Sequence, residues 1–507
     1  MTLRPVLFNW GLIKAPILNT VLTFLELTLD FKSKKMKINI ITAIIMFCLF
    51  SVSCTKVTDQ VPDSQITPAN FYKTASDADN AINACYDVLQ KLPVNFELWG
   101  DGRADILAAT DRPLSADLQV VNGNISASNS YVNGWNALYS GINRCNSVLA
   151  NVPNITDPSL AGRKDRIIGE AYFLRALFYF YLARTFENVP LIIKPYEDLS
   201  NDFFPKNNDR ATIFAQIEKD LKAAEPLVPD LPFATTIENK GKTTKAAIRT
   251  AMADFYLWNK KYQEAADAAA LVISSPAGYS LLSGANFGNI FTLKNQSESI
   301  LEVQYNNANQ EGTPGTNDVN GLTEQFLPIG GSYTAGNWRY LPSNKLLTAL
   351  PATDLRAGIT YKNTGPTPAP FRDANRIYIA KYPGTLVGAV LFQDSNFIIY
   401  RLAEVILFRA EALNELGQTN QAITLLNQIR TRAGLNGTTA TSQGDVRLAI
   451  ENERFTELAF EGKRYYDLVR TGRYAAVTGF NDVNYLRWPI PANEIIKNRN
   501  LVQNPGY

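Results

Sequence analysis

Histidine is absent from all 507 residues. That single absence excludes Ser-His-Asp and Cys-His nucleophile arrangements, imidazole acid–base catalysis and histidine-ligated metal sites. Cysteine is almost as scarce: of the four, Cys48 lies in an apolar run and Cys54 at its end, which leaves Cys85 and Cys145. Both fall on helical patterns beside apolar positions and read as buried thiols, and the sequence leaves open whether they pair. A surplus of positive charge is also missing, with 49 Lys and Arg against 47 Asp and Glu, so the basic field that nucleic-acid binding needs is not there. Asp373, Asp394 and Asn396 offer oxygens, but no EF-hand spacing occurs, and neither a metal site nor a cofactor is expected.

What is present near the start is an apolar run of 13 residues, Ile38 to Phe50, preceded by Lys34, Lys35 and Lys37 and followed by Ser51-Val52-Ser53-Cys54. It is shorter than the ~20 residues that cross a bilayer as a helix, and its charged start and small-residue end read as a secretory signal. The end resembles a bacterial lipobox, where cleavage leaves a cysteine thiol to carry lipid; Ser51 stands where a lipobox usually has Leu. A buried core segment or an uncut membrane anchor is the alternative. The expected organisation is an upstream segment 1–35, with translation starting at Met36, a signal peptide 36–53, lipidation at Cys54 and a single domain over 54–507.

Past a polar leader the chain becomes helical in pattern. Ala78, Ile82, Cys85, Val88 and Leu89 recur at three- and four-residue spacing, as do Trp135, Leu138, Ile142, Cys145 and Leu149, and then Ile167, Ala171, Leu174, Phe178 and Leu182. Two later segments superimpose: Ala253 to Ala269, turning at Lys260-Lys261, and Ala410 to Leu426, turning at Gly417-Gln418. Each reads as helix, tight turn, helix, the unit of tetratricopeptide-like repeats, and a looser pair is expected from Gly169–Thr185 with Thr212–Ala224. Residues 274–397 between the two clear pairs are dense in Gly, Asn, Thr and Pro. Alternating stretches there, Ile300 to Tyr305 and Ile377 to Ala380, predict short strands. The fold class expected is mainly α, a helical-hairpin scaffold with a long loop-rich insertion, and such an insertion is a usual place for a binding surface.

A set of segments then resembles a known family, the SusD/RagB-type outer-membrane nutrient-binding lipoproteins of Bacteroidetes. They are Gly169-Glu170-Ala171-Tyr172-Phe173-Leu174-Arg175-Ala176-Leu177 with Asn188-Val189-Pro190-Leu191; Tyr400-Arg401-Leu402-Ala403-Glu404-Val405; Asn427 to Leu435; the stretch Glu451 to Arg470; and Trp488-Pro489-Ile490-Pro491 with Asn504-Pro505-Gly506-Tyr507. The resemblance covers nearly all of the chain after Cys54. It implies an α-rich domain held by lipid at the outer-membrane surface, facing the exterior. It also implies capture of a glycan or other nutrient, and delivery to a SusC-like TonB-dependent β-barrel, without catalysis.

Sugar-holding surfaces commonly stack a flat ring on the apolar face of a pyranose and flank it with Asn, Asp or Arg. Of six tryptophans, Trp10 lies in the upstream segment, Trp135 and Trp258 lie on helical faces and Trp488 lies in the terminal signature, which leaves Trp99 and Trp338. Trp99 opens Trp99-Gly100-Asp101-Gly102-Arg103, and Trp338 closes a glycine-rich loop carrying Tyr333, Asn337, Arg339 and Tyr340. Both loops resemble, in their place along the chain, regions where family members bind ligand. The candidate site is therefore Trp99, Asp101, Arg103, Tyr333, Asn337, Trp338, Arg339 and Tyr340; the alternative is that either ring plugs its loop onto the core. The i, i+4, i+8 spacing of Glu453, Glu457 and Glu461 predicts one shared helix face, where paired carboxylates could serve a glycosidase as acid and nucleophile. Groups on one helix cannot flank a sugar from opposite sides, and Arg454, Arg464 and Arg470 nearby point to ion pairing instead. The rival to glycan capture is a helical-repeat scaffold that binds protein at the outer membrane and no sugar.

Overall fold

The helices start where the apolar periodicity starts. The computed structural model describes residues 68–197, 200–314, 319–328, 336–363, 377–388 and 390–507; the upstream and signal segments, Cys54, Tyr333 and Asp373 lie outside them. Helix α1 (Ala75–Gln90) opens on a capping box between Thr74 and Asp77 and buries Ala78, Ile82, Cys85, Val88 and Leu89, the face that the spacing predicts. Helices α2 (Pro93–Gly100), α3 (Ser115–Val121) and α4 (Gly134–Asn151) follow. Helix α5 (Lys164–Phe186) is buried at every position from Phe173 to Phe186, because it packs against α4 on one side and α6 (Arg210–Ala224) on another. The expected looser pair is thus α5 with α6.

The two clear hairpins are α7 (Lys245–Trp258) with α8 (Tyr262–Ile273), and α9 (Leu402–Glu415) with α10 (Thr419–Arg432). Small residues set their close approach: Ala247, Ala251, Ala265 and Ala269 are all buried. Both turns need a left-handed residue, supplied by Gly417 (φ 78°) in one and by Lys260 (φ 56°) in the other. Helix α8 packs on α9, so two hairpins far apart in sequence stack as neighbours, and α9 also supports α11 (Gln443–Glu457). Residues 68–507 form one compact unit.

The region 274–397 is irregular, with short strands as expected. Strand β1 (Leu107–Ala109) pairs with β3 (Tyr340–Pro342), β2 (Ser299–Val303) with β8 (Phe397–Arg401), β4 (Tyr361–Asn363) with β5 (Ile377–Ile379), and β6 (Thr385–Val387) with β7 (Val390–Phe392), every pair antiparallel. Both β2 and β8 are buried along their whole length, which sews the insertion into the helical body.

A buried ion network fixes that seam. Arg401, fully buried at the end of β8, donates to Glu298, Glu457 and Glu461, while Arg356 meets Asp354, Glu453 and Glu457, Arg432 meets Glu298 and Glu457, and Lys381 meets Glu461. Burial pushes the Glu457 carboxyl up, but the guanidiniums of Arg432, Arg401 and Arg356 outweigh it and hold the group well below the usual carboxylate range. Helix α11 ends at Glu457, so Glu461 lies in the turn beyond it and not on a shared helix face, which corrects that expectation; all three glutamates are ion-paired, as expected, but their partners are distant in sequence. The neighbouring arginines bond elsewhere: Arg454 to Asp467, Arg464 to Asp105 and Arg470 to Glu411 and Asp467. Asp394 likewise pairs with Lys294, and Asn396 donates to Glu302. Cys85 and Cys145 are free and buried.

Candidate ligand-binding site

The loops around residues 100 and 338 meet across the β1–β3 pair, where Leu107 faces Pro342 and Ala109 faces Tyr340. Just beyond the pair, the Thr110 N–H donates to the Arg339 carbonyl at 3.1 Å and its hydroxyl to the Trp338 carbonyl at 2.6 Å. The topology therefore joins the two loops that the residue types single out. It does not display all of their side chains.

Trp99 is fully buried, with its ring N–H donating to the Tyr131 carbonyl at 3.0 Å and its faces met edge-on by Phe186 and Trp488. Asp101 is also fully buried and accepts the backbone N–H groups of Gly462, Lys463 and Arg464 at 2.8–3.2 Å. Burial raises its carboxyl to about 6. Arg103 donates to the Arg487 carbonyl and the Tyr507 hydroxyl, beneath the Tyr465 ring. These three residues are corrected from ligand contacts to internal braces. The reason lies in Gly100 and Gly102: a Cβ on Gly100 would stand 1.8 Å from the Gly462 carbonyl oxygen, and one on Gly102 would stand 2.4 Å from Val120. The glycines serve close backbone packing rather than exposure.

The second loop is different. Trp338 retains 7 % exposure and sits in a small apolar cluster with Leu327, Tyr378, Ala380 and Leu391, apart from the main core, with its ring N–H on the Ile377 carbonyl. Its backbone is left-handed at φ 45°, a strained state for a bulky residue. Three successive N–H groups impose it, those of Asn337, Trp338 and Arg339 donating to the carbonyls of Glu324, Leu327 and Gln325. Asn337 and Arg339 on either side are partly exposed; the Asn337 amide donates to the Glu324 carboxylate and Arg339 lies 3.7 Å from Asp117. Tyr340 is corrected to a core residue: it is fully buried and donates to Asp117 at 2.7 Å, sharing that oxygen with the Tyr131 hydroxyl. Tyr333 lies outside the described residues.

Two groups of exposed side chains border this place and were missed by the residue-type argument. Leu114, at the start of α3 just after Thr110, and Leu118, on that helix, are 52 % and 41 % exposed. The β6–β7 hairpin exposes Leu386, Val387 and Val390 beside Leu391 of the Trp338 cluster. The apolar run Thr385 to Phe392 broken by Gly388 is a hairpin signal that would have found the latter. A separate cleft of about 520 Å³ between α1, Lys242 and Gln304 is lined by Leu89, Ile237 and Val303 together with amides and carboxylates, and its Tyr86 hydroxyl already serves Glu170 and Thr243.

The arrangement can hold a ligand by apolar contact with two or three polar partners. Chemistry at the three glutamates is closed off, since Glu453, Glu457 and Glu461 are each buried against cations. Comparison with known proteins gives a consistent picture. A family model described as SusD family matches residues 357–485, and one described as starch-binding, associating with outer membrane, matches residues 58–257. A SusD-like protein of Formosa agariphila is 28 % identical, with 94 % of this chain and 100 % of the relative aligned. The starch-binding protein SusD of Bacteroides thetaiotaomicron is 32 % identical over 136 residues, 24 % of each chain. Among solved structures, a laminarin-binding SusD-like protein superimposes with a TM-score of 0.73 at 29 % identity, covering 86 % of this chain and 100 % of its own.

Proposed function

Since this chain belongs to the SusD/RagB family, we propose that it is a non-catalytic, surface-exposed glycan-binding lipoprotein. In this reading Cys54 carries the lipid that holds it at the outer membrane, facing the exterior, and captured oligosaccharide passes to a SusC-like TonB-dependent transporter. The observation that carries the reading is the Trp338 turn, a strained backbone held by three consecutive hydrogen bonds with partly exposed Asn337 and Arg339 on either side. Strain maintained in this way gathers at ligand sites. The glycan would lie over Asn337 and Arg339, between the Leu114–Leu118 rim and the β6–β7 hairpin, with the Trp338 ring beneath. Affinity from such a shallow surface falls in the ~mM to µM range, which suits a carrier that must let go.

One observation favours the rival scaffold reading. Trp99 and Trp338 do not converge on an exposed concave surface, for Trp99 lies in the main core and Trp338 in the satellite cluster. Calorimetric titration of Thr55–Tyr507 with laminarin, starch and other glycans, beside Arg339→Ala and Asn337→Ala variants, separates the two. Heat with one glycan class, lost in the variants, is the expected result. Binding that survives both substitutions keeps the function and moves the site, and silence across all glycans favours the protein scaffold.

A further inference from the structure

The loop between α5 and α6 carries aromatic rings where burial would be expected. Phe203 and Phe204 are 51 % and 55 % exposed, and Phe203 stacks on Tyr196 with centroids 5.4 Å apart. Mobility does not account for this, because the C-terminal segment clamps the loop. Asn498 donates to the Pro205 carbonyl and Asn500 to the Phe204 carbonyl, while Asn207 and Val502 exchange two hydrogen bonds. From the other side, the Tyr196 N–H donates to Asn143 and the Tyr196 hydroxyl to the Asp202 carbonyl. The clamp brings further exposed aliphatic groups alongside: Ile496, at 73 %, on helix α12 (Ala492–Lys497), and Val502, at 71 %. Lys194, Lys206 and Arg499 lie in the same two segments, all exposed and without a carboxylate within salt-bridge distance among the described residues, whereas the exposed acids of the loop, Glu197 and Asp202, accept hydrogen bonds from the Ser147 hydroxyl and the Phe204 N–H.

The position of this patch says what covers it. Tyr72, close to where the described chain begins, donates to the Ser147 hydroxyl, which donates to Glu197 in the same loop. The described chain thus begins close to the loop that carries the patch. Only 13 residues separate Cys54 from Pro68, with a reach of roughly 45 Å when fully extended. Exposed phenyl and aliphatic groups in segments that also carry three unpaired cations suit an interfacial membrane contact, in which rings enter the headgroup boundary and cations meet anionic phosphates.

We propose that the Phe203–Phe204 patch is a second, non-covalent contact with the anionic headgroup layer of the membrane that holds the anchor. The side to which the patch is turned in the cell rests on the lipoprotein reading above; its affinity for lipid does not.

The test uses Thr55–Tyr507, since the compact unit contains no residue before Pro68. Flotation with phosphatidylglycerol–phosphatidylcholine vesicles should carry the protein, and vesicles of phosphatidylcholine alone should carry much less. Binding should be abolished in a Phe203→Asp, Phe204→Asp variant and weakened roughly fivefold by each of Lys206→Glu and Arg499→Glu. High salt should weaken it as well. A second measurement uses the full lipidated chain in the same vesicles, with a nitroxide placed at Val502→Cys, which is selective because the two native thiols of the fold are buried. The label should be relaxed by a lipid-soluble agent and shielded from an aqueous one. No flotation together with a fully aqueous label overturns the proposal. Shielding that appears only when a transporter barrel is co-purified assigns the patch to that protein and overturns it equally. Failure of lipidation at Cys54 with flotation intact would strike the anchor reading alone.

Discussion

Glu97 is an acid enclosed by other acids. It is fully buried on α2, where burial first and then the charge of Asp101 push its carboxyl well above the ordinary range, with Lys381 the cation acting against them and Glu461 adding to them. A carboxyl whose pKa is higher folded than unfolded binds its proton more tightly in the folded state. It therefore stabilises the fold at acid pH, and that stability is lost as pH rises from about 4 through the folded value. Asp101, raised to about 6, adds to the loss between about pH 4 and 6. Asp467, held near 2 by Arg454 and Arg470 against the opposing effect of burial, acts in the other direction and loses its contribution only on acidification below about 4. Glu97→Gln, which needs no proton, should match the parent near pH 4 and exceed it by a growing margin toward pH 8 in urea denaturation. A constant offset between the two across that range would contradict the assignment.

Elements were more legible than sites. The hairpins α7–α8 and α9–α10 follow from local rules, since apolar spacing marks their faces and the turn at Gly417 has an evident counterpart at Lys260. The glutamate face of α11 could also be read as structural, yet Arg356, Arg401 and Arg432 could not be named as its partners, because pairing across such sequence separation leaves no local trace. The site was only half legible for the same reason. That residues near 100 and 338 come together is a tertiary fact, and whether Trp99 faces ligand or core depends on Gly462, a close approach that Gly100 permits but does not announce. The ion network makes a testable claim about the elements it joins. Arg401 touches Glu298, Glu457 and Glu461, so Arg401→Ala would leave buried carboxylates without their shared cation. The loss should be about 3–5 kcal/mol in chemical denaturation. A change below about 1 kcal/mol would mean that the β8–α11 seam is held by packing alone.

At the scale of the whole molecule, the chain is nearly neutral and has little means of long-range steering, and in the proposed reading its usefulness comes from where it is held. A shallow site of modest affinity gains most when a tether keeps it close to its receiving partner, because effective concentration then replaces tight binding. In the proposed reading the tether is the 13-residue leader after Cys54, and Cys54→Ser would remove its lipid while leaving every described residue unchanged. Expressed in its native membrane background, the parent should partition with the outer membrane and take up radiolabelled palmitate. The variant should lose the label and come off the membrane in a high-salt wash, since the Phe203–Phe204 patch alone would hold it only weakly and in a salt-sensitive manner. A variant that still resists salt and is extracted only by detergent would mean that an uncut apolar segment anchors the chain, and the start at Met36 with cleavage before Cys54 would have to be given up.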